Sequence, residues 1–301
     1  MSKPKIGISV RSLKRDASDI EERISEILPF SPDNIELKCY DQDLIQDGKI
    51  INYRVDQIKR ALELFDGHLT MHGPLTFNLL DKKENIEFHL KLAIDYVNLG
   101  KSLGVNGIVL HTGFCELEND SSLKNKYQTQ QECLKRIADI SAESEIMIYV
   151  ENIFPFFEGA HTALPNKLAE EIEKVNHPYV SGCFDVSHAY IACHSYGVDF
   201  ILNAYQLGSL SNHWHVHDSF GRTSFSISPF TPSEALASGL GDLHLPVGDG
   251  DLPWKEIIKK IKPFGEKTFN IELNPSFWSE LDRCVNSTME LSKYVQSDNE
   301  I

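Results

Sequence analysis

The chain has 301 residues, of which 41% are hydrophobic and 24% are charged, a composition typical of a globular protein long enough to bury a large core. Its formal net charge of −15 at pH 7 disfavours nonspecific attraction to nucleic acid or to an anionic membrane surface. No apolar run approaches the roughly 20 residues that span a bilayer, and the N-terminus lacks the apolar region of a signal peptide, so we expect a cytoplasmic protein with no membrane partner.

Short apolar runs rich in β-formers alternate with longer amphipathic stretches, the pattern of repeated βα units around a parallel sheet. Strands are predicted, in chain order, over Ile6–Val10, Asn34–Lys38, His68–His72, Gly107–His111, Ile146–Glu151, Val180–Asp185, Asn212–His217 and Thr268–Leu273. Helices are predicted near Asp19–Leu28, Asn52–Phe65, Asn85–Leu103, Leu123–Ser141, Asn166–Val175, Asp199–Gln206, Trp254–Ile261 and Ser276–Val295. Eight such units predict an α/β fold, a (β/α)8 TIM barrel, formed by a single domain of residues 1–301.

Two connections are long, 152–165 after the fifth predicted strand and 218–253 after the seventh. Because βα connections lie at the carboxyl-terminal face of a barrel, where active sites are built, we interpret both as functional loops. The polar tail 296–301 is expected to fray. The six cysteines show no C-x-x-C spacing, so we expect buried structural thiols.

Potential metal ligands stand at or near the carboxyl ends of the last six predicted strands. They are five histidines and four carboxylates: His72, His111, Glu151, Asp185, His188, His215, Asp242, His244 and Glu272. Strand ends ring one mouth of a closed barrel, so these side chains can meet despite their separation along the chain. Imidazoles and carboxylates suit zinc, manganese and iron, and nine ligand groups exceed the needs of one ion. The pattern therefore predicts two or three adjacent metal ions.

Structural roles compete with this interpretation for single residues. His72 and His111 could each cap a strand, and Asp185 could cap the helix that follows it. A purely structural role fits Glu151 and Glu272 less well, because a carboxylate inside an apolar strand must be paired, protonated or metal-bound.

The run His213-Trp214-His215-Val216-His217-Asp218 contains three further candidates. Strand alternation puts its three histidines on one face. From the residues alone, any of the three could bind metal.

The chain resembles the endonuclease IV branch of the xylose isomerase-like TIM barrel superfamily, from about the third predicted strand to Glu272. The matching segments are MHGPLTFNL, VLHTG, VENI, GCFDVSHAY, HVHD, DLHLPVGDG and IELN. This resemblance implies a trinuclear zinc centre whose nine ligands fall on the nine residues named above. It favours His215, three residues before Asp218, as the ligand from its strand, and it makes His217 a polar neighbour of the ligands.

The same resemblance shows three departures around the ligands. Endonuclease IV proteins insert an aromatic and an aliphatic residue into DNA where this chain has Leu75 and Thr76. Their Gly-rich connection after the fifth strand is replaced by the apolar loop 152–158. The acidic segment 40–43 stands where they place an arginine that inserts into DNA. These changes argue against DNA as the substrate and leave the metal ligands intact.

The ligand count and the resemblance favour a divalent-metal-dependent phosphoester hydrolase acting on abasic nucleic acid or on a smaller phosphorylated sugar. Two or three zinc ions, or manganese, iron or magnesium, would clamp the phosphate and activate water. Glu151 and Glu272 are the predicted catalytic residues. The predicted substrate contacts are Arg11, Ser187, His217, Ser219 and Arg222.

A sugar or sugar-phosphate isomerase or epimerase is the alternative. One manganese, magnesium or cobalt ion would then sit on Glu151, Asp185, His215 and Glu272, and the two glutamates would shuttle a proton. An aromatic lid would suit a sugar ring; its residues are Phe154, Phe156, Phe157, Phe277 and Trp278. A noncatalytic binding protein is a third possibility, which the intact ligand set disfavours. The sequence does not determine the oligomeric state.

Overall fold

The computed structural model describes residues 3–116, 119–225, 227–261 and 266–294; the polar tail 296–301 lies outside them. Eight parallel strands close into a barrel in which neighbours in the chain are neighbours in the sheet. The strands are β1 Lys5–Val10, β2 Asn34–Lys38, β3 His68–His72, β4 Gly107–His111, β5 Met147–Glu151, β6 Val180–Asp185, β7 His213–Val216 and β8 Thr268–Ile271. The predicted TIM barrel is thus confirmed, and no strand end differs from its predicted position by more than two residues.

Helices cover the outside of the barrel. They are α1 Ile20–Ile27, α2 Asn52–Ala61, α3 Ile86–Leu103, α4 Asp120–Ala142, α5 Pro165–Val175, α6 Val186–Tyr196, α7 Phe200–Leu210, α8 Pro232–Ser238, α9 Trp254–Lys260 and α10 Leu281–Tyr294. Since helices cover the sheet, its strands read as near-continuous apolar runs. In the described part of the chain, every helix is too short or too polar to traverse a lipid bilayer.

The sequence alternation in β7 aims side chains to opposite sides of the barrel wall. Trp214 points outward, where its ring packs edge-on against Phe184 and stacks on Phe269, and its Nε1 donates a hydrogen bond to a carbonyl of α7. Its neighbours His213 and His215 are therefore turned into the barrel. The outer core thereby fixes the orientation of the imidazoles inside.

Two helices lie outside the predicted helix ranges. α6 begins immediately after β6 and is buried on almost every side, so it lacks the amphipathic period on which the helix predictions relied. α8 lies within the long connection 218–253 and begins with a capping box in which Thr231 and Glu234 bond each other's backbone. The six cysteines are buried, as expected for structural thiols.

Candidate metal centre

The nine predicted ligands converge at the carboxyl-terminal mouth of the barrel. Four of them are the last residues of consecutive strands, His72 of β3, His111 of β4, Glu151 of β5 and Asp185 of β6. Seven of the nine are buried, and Asp242 and His244 are partly buried. Several groups of three or four residues in this region hold potential ligand atoms within 4.8 Å of one another.

Glu151 is the hub of the cluster. Its Oε2 lies 3.1 Å from His72 Nε2 and 3.5 Å from His111 Nε2. Its Oε1 lies 3.2 Å from Nδ1 of both His188 and His215. Burial alone would raise the pKa of the Glu151 carboxyl, but the charges of His215 and His111 hold it well below its usual range. Glu151 is therefore an anion within reach of four imidazoles.

His215 has the most acidic surroundings. Its Nδ1 lies 3.2 Å from Glu151 Oε1, 3.5 Å from Glu272 Oε2 and 3.8 Å from Asp185 Oδ2. Burial would lower the pKa of this imidazole, but the surrounding acidic groups raise it well above its ordinary value. Three carboxylates thus converge on one nitrogen, and a positive charge between them is strongly favoured.

A second group surrounds Asp242. Its Oδ2 lies 2.7 Å from His244 Nε2 and 3.1 Å from His188 Nε2. The ring of His217 stacks on that of His244 at a centroid distance of 4.0 Å, and His217 Nε2 lies 2.9 Å from Asp185 Oδ2. The sequence favoured His215 over His217 as a ligand, yet the structure brings both into the cluster.

The hydrogen bonds of three histidines fit metal ligation. Nδ1 of His72, His188 and His244 lies 3.0, 3.1 and 2.9 Å from the backbone oxygens of Gly73, Asn152 and Glu272. A carbonyl only accepts, so each Nδ1 carries the hydrogen and each neutral ring leaves the Nε2 lone pair facing a carboxylate. The Nε2 lone pair and the carboxylate oxygen are both acceptors, so their contact is favourable only when they share a cation, either a proton or a metal ion. Such backbone anchoring is typical of metal-ligating histidines.

The backbone of His244 is itself unusual. Its φ of 48° lies in the left-handed region, which residues other than glycine seldom adopt. Residues held in such conformations cluster at functional sites, where the surrounding structure over-determines them. Here the bond from Nδ1 to the Glu272 oxygen and the contact with Asp242 fix the ring.

A cavity of about 570 Å³ lies over the ligands. One wall is apolar and is formed by Leu75, Phe114, Phe154 and Phe156, while His72, His111, Glu151, His188, Asp242, His244 and Glu272 line the polar side. Of the predicted aromatic lid, Phe154 and Phe156 line this cavity, and Trp278 lines a smaller neighbouring one.

Glu36 and Lys38 of β2 belong to the centre, although the sequence analysis did not single them out. Glu36 is fully buried, with its carboxylate 2.8 Å from His213 Nε2 and 3.1 Å from His215 Nε2. Lys38 Nζ lies 3.3 Å from Glu272 Oε1. The signal for Glu36 was present, because it is a carboxylate inside an apolar strand.

The predicted substrate contacts are dispersed. Arg11 lies at the rim and lines the smaller cavity. Ser219 is buried and bonded to the hydroxyl of Ser187 at 2.8 Å, and Arg222 lies over the ring of Phe220 and donates to a carbonyl of α8. Ser187, Ser219 and Arg222 do not line the cavity over the ligands, and their role in substrate binding stays a prediction.

Residues 33–283 match the model of a family described as xylose isomerase-like TIM barrel. A curated relative, the uncharacterized protein MJ1311 of Methanocaldococcus jannaschii, is 26% identical over 219 residues, which cover 69% of this chain. The match spans 66% of the relative's own length, slightly less than two thirds.

Solved structures share the fold over nearly the whole chain. A D-tagatose 3-epimerase-like protein has a TM-score of 0.68 at 17% identity and covers 98% of both chains. The TTHB071 protein of Thermus thermophilus, soaked with ZnCl2, has a TM-score of 0.64 at 17% identity and covers 95% of this chain and 98% of its own. A D-psicose 3-epimerase in the presence of D-fructose has a TM-score of 0.61 at 14% identity and covers 97% of this chain and 98% of its own. Likeness at these identities establishes the fold alone.

These named structures do not single out the endonuclease IV branch, so that finer assignment stays a prediction. The buried clusters of histidine, aspartate and glutamate are suited to divalent metal ions. Together with the family match they indicate a metal-dependent enzyme. The chain belongs to the xylose isomerase-like TIM barrel family.

Proposed function

We propose that this protein is a divalent-metal-dependent isomerase or epimerase of a small sugar or sugar phosphate. The observation that carries the proposal is the set of three carboxylates, from Glu151, Asp185 and Glu272, within 3.8 Å of His215 Nδ1. One imidazole and three carboxylates form an oxygen-rich donor set that suits manganese, magnesium or cobalt. The same four residues are the predicted ligands of a one-metal isomerase.

A bound divalent ion would supply Lewis-acid polarisation of the ketose carbonyl. The protein's own part is to move a proton at the carbon beside that carbonyl. Glu151 comes from β5 and Glu272 follows β8, so they approach from strands separated by β6 and β7. In this proposal Glu151 removes the proton from one face of the carbon and Glu272 returns a proton to the other.

Neighbouring side chains support the proposed role of Glu272. Its Oε1 accepts a hydrogen bond from Ser9 Oγ at 3.3 Å and lies 3.3 Å from Lys38 Nζ. Burial alone would raise the pKa of Glu272, but the charges of His215 and Lys38 hold it well below its usual range. Glu272 is thereby oriented and held as an anion, the form in which it removes the substrate proton when the reaction runs in the reverse direction.

The surroundings of the ligands favour a small substrate. The apolar wall of Phe114, Phe154 and Phe156 offers ring faces against which the C–H groups of a sugar can pack. Leu75 and Thr76 replace the residues that the endonuclease IV family inserts into DNA, and the net charge of −15 opposes a polyanion. Named sugar epimerases among the similar structures point to the same substrate class.

A multinuclear phosphoester hydrolase is the second candidate, and one observation favours it. His188, His217, Asp242 and His244 form a second ligand group, and His72 and His111 meet Glu151 in a third. A one-metal isomerase does not require them. The hydrolase would use two or three ions to bind and cleave a phosphoester.

Turnover assays on the manganese-loaded protein test the proposal. We expect a ketose such as D-fructose, D-psicose or D-tagatose, or its 6-phosphate, to be converted into the isomer formed by proton transfer at a carbon beside its carbonyl, and we expect loss of that activity in Glu151→Gln. The proposal fails if no ketose or ketose phosphate is converted while protein holding two or three zinc ions hydrolyses bis(p-nitrophenyl) phosphate.

A further inference from the structure

A second cavity, of about 160 Å³, adjoins the metal centre. It is lined from the ends of β1 and β2, from α1 and from the segment after β8. Tyr40 and His244 line both this cavity and the larger one over the ligands. A ligand that fills the smaller cavity can therefore be continuous with a substrate bound at the metal centre.

The smaller cavity is lined by three basic residues, Arg11, Arg23 and Lys38, and by no aspartate or glutamate among the described residues. This is notable in a chain whose net charge is −15. Their carboxylate partners are not among the lining residues: Asp41 lies 3.2 Å from Arg11, and Glu22 and Glu26 each lie 2.9 Å from Arg23. These partners moderate the local charge and hold the two guanidinium groups in position.

Arg23 has an unused hydrogen-bond donor. Its side chain is 17% exposed, and both carboxylate contacts are made by NH2. Its Nε is buried and has no hydrogen-bond partner among the described residues. Buried donors without partners are uncommon because they lose hydration without compensation. Arg23 lines the cavity, so an anion bound there would lie beside an arginine whose donors are not all used.

Lys38 connects the cavity to the metal centre. Its side chain is 10% exposed, and its Nζ lies 3.3 Å from Oε1 of Glu272. Ser9, which also lines the cavity, donates to the same oxygen. An anionic group in the cavity would therefore lie next to one of the two carboxylates that we assign to proton transfer.

We propose that this cavity binds the phosphate group of a phosphorylated ketose whose carbonyl end lies at the metal centre. Two arginines and a lysine suit a phosphate dianion, because guanidinium groups bond phosphate oxygens in pairs. The inference rests on the proposed function and narrows its substrate class from sugars in general to sugar phosphates.

Titration calorimetry on the manganese-loaded protein tests the inference without requiring turnover. The probes are D-fructose, D-fructose 6-phosphate and D-glucuronate, which carries a carboxylate instead of a phosphate. We expect D-fructose 6-phosphate to bind at least about tenfold more tightly than D-fructose. Equal affinity for these two, or tighter binding of D-glucuronate than of D-fructose 6-phosphate, would overturn the inference.

Two variants locate the effect. Arg11→Met and Arg23→Met should each weaken D-fructose 6-phosphate binding about tenfold and weaken D-fructose binding much less. Arg11 is 42% exposed, so its loss should be tolerated even if Arg23→Met destabilises α1. Arg136→Met is the matched control, since Arg136 is an exposed arginine on α4 paired with Glu87, and should change neither affinity. A phosphate preference that survives both Arg11→Met and Arg23→Met contradicts the assignment.

The outcomes separate this inference from the proposed function. Preference for the phosphorylated sugar without isomerisation or epimerisation of any ketose would overturn the function and support the cavity assignment. Turnover of D-fructose with no preference for the phosphorylated sugar would support the proposed function and overturn the cavity assignment.

Discussion

Nδ1 of His217 and Oδ1 of Asp242 face each other across 3.7 Å, and neither buried atom has a hydrogen-bond partner among the described residues. His217 Nε2 lies 2.9 Å from Asp185 Oδ2, an acceptor, so in the neutral ring the hydrogen is on Nε2 and the Nδ1 lone pair faces Asp242. Buried unpaired polar atoms call for an unseen partner. A cation between these two atoms, either a proton or a metal ion, would supply one; a metal ion there would be a second ion beside the one proposed at His215, as the multinuclear candidate requires.

In the multinuclear candidate, Asp242→Asn should remove about one metal ion per chain, whereas the one-metal isomerase should keep its ion. The substitution keeps the size of the side chain but removes the negative charge that holds the ion. Elemental analysis after dialysis measures the content. Asp139→Asn, at an exposed position of α4, is the control and should leave the content unchanged. Full metal content in Asp242→Asn would show that this group is not a metal site.

His111→Ala distinguishes the two candidate functions. His111 lies 3.5 Å from Oε2 of Glu151, on the side away from His215, so a one-metal isomerase does not use it as a ligand. We expect ketose turnover to fall by no more than about tenfold, whereas a multinuclear hydrolase should lose a ligand and nearly all activity. Loss of ketose turnover comparable to that of Glu151→Gln would contradict the one-metal account.

Glu36 is expected to position His215. Its carboxylate lies 3.1 Å from His215 Nε2 and 3.3 Å from Ser9 Oγ, and it accepts a hydrogen bond from Thr70 Oγ1 at 3.2 Å. Carboxylates behind a ligating imidazole orient the ring, and their removal weakens metal binding about 10- to 100-fold. Glu36→Gln should show this loss in a competitive manganese titration. Unchanged manganese affinity would leave Glu36 with a purely structural role.

Glu171 provides a test of pH-dependent stability away from the centre. Burial alone would raise the pKa of this carboxyl, but hydrogen bonds from Lys167, Lys174 and Gln131 lower it below its ordinary value of 4.5. A lowered folded pKa contributes stability that is present above the ordinary value and is lost as the pH falls through the folded pKa.

Glu171→Gln should consequently lower the free energy of unfolding by about 1 kcal/mol at pH 7, and by progressively less below about pH 4.5. Urea titrations at pH 7 and pH 4 measure both values. Glu170→Gln, on the same helix but exposed, should have a smaller effect. A destabilisation by Glu171→Gln that does not shrink at pH 4 would contradict the assignment.

The barrel could be predicted because its strands are buried on both sides and so stand out as apolar runs between amphipathic helices. The convergence of ligands followed from the fold, since Glu151 ends one strand and Glu272 directly follows another, and both strands end at the same mouth of the barrel. The range of α6 was not predicted, because burial on most sides removes the helical period, although Asp185 was recognised as a possible cap of a helix there. Glu36 was not predicted because candidate ligands were expected at the carboxyl ends of strands, and Glu36 lies inside the second strand. The positions of Ser219 and Arg222 depend on how the long connection 218–253 packs, which local sequence does not specify.

Transfer of solvent deuterium into a ketose tests the central claim most directly. When the manganese-loaded protein is incubated in D2O with D-fructose or D-fructose 6-phosphate, proton transfer by Glu151 and Glu272 should place deuterium on a carbon adjacent to the carbonyl. Proton NMR would detect the deuterium as the loss of the signal of the hydrogen on that carbon. Glu151→Gln and Glu272→Gln should each prevent this exchange. Absence of exchange in these and other ketoses and ketose phosphates, by protein with its metal sites filled, would contradict the account.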